Sequence, residues 1–253
     1  MKFFIQSILF TLLPIELLIA KEIFLYIDHK NAKIGGYNLA QKNIRHSPCS
    51  TFKIPNTIFG LEHGVLKNKK SSLNYEPIKN PRQNWWPKSW TNNQTLESAI
   101  KNSVVWYYQE VARQVGKKRM QEFIDKTNYG NKDISSPIDK FWLGASLRIS
   151  PEEQVLFLQN LFSKKFKFAE TNLKILKEIL LWKKIGGVKI YAKTGSCDQG
   201  NALKGAWLVG FIESSNKTKT YFAYYTEHKS FQTASEKRNK HSLEYLKKYN
   251  LIP

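Results

Sequence analysis

Two cysteines, Cys49 and Cys197, are too few for a disulfide scaffold or for a zinc site built from thiolates. The five histidines stand at 29, 46, 63, 228 and 241 without ligand spacing, so no metal-dependent mechanism is expected. Proline and glycine, nine and thirteen residues, form no linker with serine, and one domain over 21–253 is the expectation. Internal repeats, low-complexity segments and blocks of five or more like charges are all missing. The apolar stretch at residues 3–20 is broken by Gln6, Ser7, Thr11, Pro14 and Glu16, and falls short of the roughly 20 apolar residues of a stable membrane span.

What is present is an ordinary globular composition, 42% hydrophobic and 13% aromatic, with 40 Lys and Arg against 20 Asp and Glu. The net charge of +20 attracts any anion: nucleic acid, acidic lipid or a carboxylated small molecule. Its lysines are scattered, which reads first as a solvated surface. A basic nucleic-acid or envelope-binding protein rests on charge alone, and no nucleic-acid partner is expected. Lys2 before the apolar run reads as the charged head of a secretory signal over residues 1–20, which implies a periplasmic protein.

Two short strands at 22–28 and 34–38 flank a polar turn and read as a hairpin. Ser47 with Pro48 offers an N-cap for a helix that ends near Gly64, with Pro55 marking its first turn or a kink. Residues 68–91, with Trp85, Trp86 and Trp90, read as a long packed loop of the kind that borders active sites. A helical region at 95–127 breaks at Asn102 and Ser103 and again at Gly116, and Tyr129-Gly130-Asn131 is a turn. Ser150-Pro151-Glu152-Glu153 is a capping box that starts another helix, and 173–182 reads as one more. Strands at 188–193, 206–212 and 219–225 precede a helical tail at 237–249. The expected fold class is α+β, an antiparallel sheet drawn from both chain ends around a mainly helical middle.

Three residues apart on a helix, Ser50 and Lys53 share a face, so a neutral lysine amine would take the serine proton and make a nucleophile. Spacing alone is weak: Ser98 and Lys101, and Ser214 and Lys217, repeat it. Lys193-Thr194-Gly195-Ser196 at a strand end adds a cation for a substrate carboxylate and a glycine where backbone approaches backbone. Ser103-Val104-Val105 adds a hydroxyl between the two lysines. Ser-x-x-Lys, a middle serine and Lys-Thr-Gly occur in this order in penicillin-recognising serine enzymes.

These motifs, with Ser-Pro-Cys-Ser-Thr-Phe-Lys-Ile-Pro-Asn (47–56), Gly-Leu-Glu-His-Gly (60–64), Tyr129-Gly-Asn131, Phe141-Trp-Leu143, Ser146-Leu-Arg-Ile-Ser150 and Trp207-Leu-Val-Gly210, make the chain similar to the class D, oxacillin-hydrolysing β-lactamases from about Phe24 onward. The resemblance implies the serine β-lactamase and penicillin-binding transpeptidase fold, a β-lactam antibiotic as substrate and no cofactor. It implies Ser50 as nucleophile and Lys53 as general base, carboxylated by carbon dioxide, in apolar surroundings from Phe52, Val105, Trp142 and Leu143. The Trp142 indole would hold the carbamate, and Ser103 would carry a proton to the lactam nitrogen. The N–H groups of Ser50 and Ser196 would form the oxyanion hole, and Lys193, Thr194 and Arg238 would bind the substrate carboxylate, Arg238 by opening the last helix. Gly195 and Tyr129 complete the expected binding residues.

Each has a plainer reading: Trp142 as core, Tyr129 to Asn131 as a turn, Arg238 as a solvated helix-end cation. Cys49 and Cys197 read as buried thiols, with a bridge between them as the alternative. The resemblance also brings a rival function, the penicillin-sensor domain that is acylated without turnover. The family's usual helix between signal and first strand has no room between Ala20 and Phe24: either that helix is missing, or residues 1–20 are not a signal, or the reading frame starts late. A missing helix would expose apolar surface, with lower stability or a homodimer as the expectation.

Overall fold

The computed structural model describes residues 22–28, 33–200 and 202–253; the expected signal at 1–20 lies outside them. Strands β1 (Glu22–Ile27) and β2 (Ile34–Tyr37) pair antiparallel at the N-terminal end. At the C-terminal end lie β5 (Leu181–Ile185), β6 (Val188–Asp198), β7 (Lys204–Glu213) and β8 (Lys219–His228). They join in one antiparallel sheet of order β2-β1-β8-β7-β6-β5, so the first strand docks on the last. That is the expected α+β architecture.

Side chains alternate across this sheet with the period of two that strands impose. Ile23, Leu25, Trp207, Val209, Phe211, Ala223 and Tyr225 face the main core. Phe24, Leu208, Ile212, Phe222 and Tyr224 face a second core, which Leu246 of α7 (Phe231–Lys248) helps to close. With both faces covered, the central strands read as continuous apolar runs rather than alternating ones.

The main core holds the helical body. Helix α1 (Lys53–Glu62) is buried from Lys53 to Leu61 and sits at its centre. Two of its polar groups are bonded there by α3 (Val105–Val115): Asn56 Nδ2 donates to Tyr108 O at 3.0 Å, and Thr57 Oγ1 meets the Tyr108 hydroxyl at 2.9 Å. Helix α2 (Leu96–Lys101) precedes the expected break, and Gly116 separates α3 from α4 (Lys117–Thr127). The capping box forms as read: Ser150 accepts from Glu153 N, and Glu153 accepts from Ser150 N, at the start of α5 (Pro151–Phe162). Within the long loop, β3 (Ser72–Leu73) makes a two-residue pairing with β4 (Gln94–Thr95).

Four boundaries depart from expectation. Helix α6 is Glu170–Ile179, and Trp182 belongs instead to edge strand β5. Gly186 and Gly187, at φ 50° and 80°, form a two-residue turn of the hairpin kind and fold residues 181–185 back onto β6. Strand β6 runs on to Asp198, so Lys193 lies within a strand rather than at its end. Helix α7 starts at Phe231, where the Ser230 hydroxyl accepts from Thr233 N at 3.1 Å, six residues before the expected start. Ser47 caps no helix: its hydroxyl donates to Trp142 O at 3.0 Å and accepts from Gly144 N at 2.9 Å.

Candidate active site

Ser50 lies in a 3-10 turn, Cys49–Phe52, that runs straight into α1, and Lys53 is the first residue of that helix. The Lys53 Nζ donates to Ser50 Oγ at 2.8 Å and is 1% exposed. Burial first, and the Lys193 charge second, push its pKa well below the ordinary lysine value; among the described residues no carboxylate counters them. Its charged form is therefore disfavoured, which favours the amine as an acceptor of the serine proton. The look-alike pairs have structural uses. Ser98 belongs to the capping box of α2 with Thr95, and Ser214 bonds Asn216 and Thr218 in the β7–β8 turn.

Ser103 sits between α2 and α3 with φ 59°, a left-handed conformation that costs a serine about 1 kcal/mol or more. There its hydroxyl accepts from Lys193 Nζ at 3.0 Å, and the same amine donates to Thr194 O and Oγ1 at 3.0 and 3.2 Å. Burial, then the Arg238 charge, lower Lys193 to about 7. Arg238 is buried deeply enough to fall to about 10, and its Nη1 donates to Ser196 Oγ at 3.0 Å. It reaches the site from the body of α7, not from the helix opening where it was expected.

Strand β6 meets the turn that carries Ser50 at Gly195. A Cβ there would stand 2.9 Å from Thr51 Cγ2 and 3.0 Å from Pro48 O, so only glycine allows the approach. Two residues further, Cys197 is bonded to Cys49, with Cα atoms 5.6 Å apart. The two cysteines are a disulfide rather than buried thiols, because the fold brings residues 148 apart in sequence to bridging distance.

Behind Ser50, Phe52 stacks on the Trp142 ring at 5.3 Å, and the Trp142 Nε1 is buried with no hydrogen-bond partner among the described residues. Such an orphan donor is rare in a core. Tyr129 does not reach the cleft: it is fully buried, edge-on to Phe52 and Phe157, with its hydroxyl 3.5 Å from Gln154 Oε1. Its neighbour Asn131 ties down the loop after Trp142, bonding Ser146 O and the backbone N of Arg148 at 2.9 Å each. The Tyr-Gly-Asn motif thus supports the site from behind.

A cleft of about 700 Å³ opens above these groups. Ser50, Ser103, Thr194, Ser196 and Arg238 form its polar side, while Trp85, Trp90, Val105, Leu143 and Phe231 form an apolar one. The loop with Trp85 and Trp90 borders the site as its composition suggested. Phe231 and Asp198 were missed, since nothing local marks either as a cleft residue. The arrangement suits acyl transfer: a serine hydroxyl bonded to a buried lysine whose charge is disfavoured, a second hydroxyl beside a second lysine, and an arginine for an anionic substrate.

The penicillin binding protein transpeptidase domain family matches residues 27–245. A probable β-lactamase of Bacillus subtilis, YbxI, is 34% identical over 90% of this chain and 81% of its own length. The crystal structure of FUS-1 (OXA-85), a class D β-lactamase from Fusobacterium nucleatum subsp. polymorphum, matches with TM-score 0.84 and 38% identity, covering 92% of this chain and 94% of that one. The regulatory protein BlaR1 of Bacillus licheniformis is 30% identical over 77% of this chain, which spans only 31% of that receptor.

Proposed function

Because the chain belongs to the penicillin-binding transpeptidase family and, within it, to the class D β-lactamases, which are serine hydrolases, we propose that it opens the lactam ring of penicillins through an acyl-enzyme on Ser50. Lys53 in carboxylated form is the general base, and the activity protects the cell from the antibiotic. One observation carries the base: Lys53 is buried with its charged form disfavoured, and the adjacent Phe52 stacks on Trp142, whose Nε1 has no partner among the described residues. A neutral amine adds carbon dioxide, forming an N–C bond and releasing one proton, and the anionic carbamate then supplies a base of the kind that an orphan indole N–H would satisfy.

In acylation the Ser50 oxygen attacks the lactam carbonyl and gives up its proton to the base on Lys53. The ring C–N bond breaks, and Ser103, hydrogen-bonded to Lys193, passes a proton to the leaving nitrogen. The N–H groups of Ser50 and Ser196 receive the developing oxyanion. Lys193, Thr194 and Arg238 hold the substrate carboxylate, and Val105 and Leu143 wall the apolar side. In deacylation water adds to the ester carbonyl, the ester C–O bond breaks and Ser50 regains its proton.

The similarity to BlaR1 supports a second reading, a sensor that is acylated and stays so. We place the protein in the periplasm, a reading favoured by the disulfide, which persists in oxidising compartments. Among the described residues no helix is long and apolar enough to cross a membrane.

Mixing equimolar protein and benzylpenicillin and following intact mass over minutes separates the readings. Hydrolysis gives a transient adduct and excess product; a stoichiometric adduct that lasts hours establishes the sensor and overturns the hydrolase. Nitrocefin turnover should also rise when bicarbonate is returned to degassed buffer. No rise, together with activity in Lys53→Ala, would end the carbamate mechanism.

A further inference from the structure

Cys49 immediately precedes Ser50, and Cys197 immediately follows Ser196. The disulfide therefore lies one residue from each of the two N–H groups that would bind the oxyanion, on opposite sides of the gap between them.

At Ser50 and Ser196 themselves no backbone bond holds that gap closed. Strand β6 pairs with β7 along its whole length, but its pairing with β5 ends at Tyr191, so from Ala192 to Asp198 its other edge has no strand partner. That edge faces the turn carrying Ser50, and among the described residues no backbone–backbone hydrogen bond joins residues 193–198 to residues 47–53. Gly195 against Thr51 and Pro48 sets how near the two segments come, since any closer approach is a collision. It does nothing to stop them parting. Against separation stand the disulfide and, at the Ser47 end of the turn, the hydrogen bonds from Ser47 N to Gln199 Oε1 and from Trp207 Nε1 to Ser47 O, both at 2.9 Å, with longer contacts from Gln199 Nε2 to Cys49 Sγ and from Cys197 Sγ to Ser47 Oγ.

The Cys49 side of the link carries a second constraint. Its φ is 52°, a left-handed conformation that an ordinary residue keeps only where its surroundings over-determine it. The same residue donates its N–H to Trp142 O at 3.0 Å. Releasing the sulfur would thus let the peptide before Ser50 relax, along with the gap.

We propose that the Cys49–Cys197 disulfide is a positioning element for catalysis: it fixes the spacing between the Ser50 and Ser196 N–H groups, so that the enzyme acylates efficiently only when oxidised. This rests on the acyl-transfer reading above. An oxyanion hole works when its donors stand about 2.7–3.1 Å from the developing oxygen, and losing one such donor outright lowers turnover roughly 100- to 1000-fold. Loosening one donor by a few tenths of an ångström should cost part of that, about 10- to 100-fold in the acylation step. Ground-state binding, held by Thr194 and Arg238, should change little.

The test compares the oxidised protein, the same protein reduced in place by dithiothreitol, and the Cys49→Ala, Cys197→Ser double variant. In the reduction two electrons and two protons pass from the dithiol to the bridge, leaving two thiols and the cyclic disulfide of the reagent. Stopped-flow acylation by benzylpenicillin yields the acylation rate and the binding constant separately, with circular dichroism confirming the folded fraction. A boronic acid that forms a tetrahedral adduct on Ser50 reports the oxyanion hole directly. The expected result is a slower acylation rate, boronate affinity weaker by a similar factor, substrate binding within about twofold, and recovery on reoxidation. An unchanged acylation rate in folded reduced protein overturns the proposal. So does a loss that follows the unfolded fraction at every temperature, which would make the bridge structural only. If the double variant does not fold, reduction in place at low temperature still decides. Failure of the oxidised protein to acylate at all is a different result: it ends the acyl-transfer reading, and this proposal with it.

Discussion

Lys193 Nζ donates a hydrogen bond to Ser103 Oγ at 3.0 Å, joining a buried strand lysine to a left-handed serine 90 residues earlier. Neither partner has this role without the other. The lysine loses much of its charge through burial, and the serine gains a proton source through the lysine. Replacing Ser103 with Ala should therefore lower kcat/KM for penicillins by about 100-fold, the usual share of a proton-transfer group, while Ser50 still forms a slow adduct by mass. Wild-type-like kcat/KM in Ser103→Ala would remove it from the proton path.

The two buried lysines predict a pH-dependent stability. Lys193 titrates at about 7 when folded and near its ordinary 10.5 when unfolded. Between those values the unfolded chain holds a proton that the folded chain does not, so stability rises with pH across the window. Below about 7 both states are protonated and the full cost of the buried charge is present. Lys53, also lowered, acts in the same direction. Urea midpoints at about pH 7 and about pH 9.5 should show the wild type gaining stability, and Lys193→Met gaining clearly less.

Trp142→Phe keeps an aromatic ring to pack against Phe52 while removing the orphan N–H, together with the rest of the indole. A hydrogen bond to a charged group is worth about 1.5–3 kcal/mol, so the carbamate should weaken roughly 10- to 100-fold. Turnover should then depend steeply on added bicarbonate, with the acyl adduct accumulating in its absence. Equal bicarbonate response in variant and wild type would separate the indole from the base.

Gly195→Ala places a methyl carbon 3.0 Å from Pro48 O and 3.1 Å from Thr51 N, both backbone atoms. The two segments must move apart, at a cost of about 1–3 kcal/mol by the usual scale of overpacking. Thermal melts and nitrocefin turnover should fall together. A variant with full activity and unchanged Tm would mean that this contact is slack.

The legible parts of this chain are those whose causes lie within a few residues. The capping box from Ser150 to Glu153, the break at Asn102 and Ser103, the stop at Gly116 and the Ser50-to-Lys53 spacing each follow from side chains bonding or clashing with their own backbone neighbourhood. The Ser50–Lys53 pair was visible for that reason, but the same spacing at Ser98 and Ser214 meant that only the resemblance carried by the other motifs singled it out. Gly186-Gly187 carried the local signal for β5 as well, but the lysines at 183 and 184 blur its alternation, as charges on an edge strand do.

What lay outside the local sequence was anything set by distance between remote segments. Whether Cys49 bonds Cys197 depended on an approach across 148 residues, and whether Arg238 reaches Ser196 depended on where α7 begins and how it crosses the sheet. Tyr129 carries a motif's name yet turns its ring behind Phe52, because α5 supplies Phe157 and Gln154 on that side. The same holds for the charge states of Lys53 and Lys193. A lysine side chain has one chemistry in any sequence, but its affinity for a proton is set by how completely the folded chain keeps water away from it and which other charges it brings near.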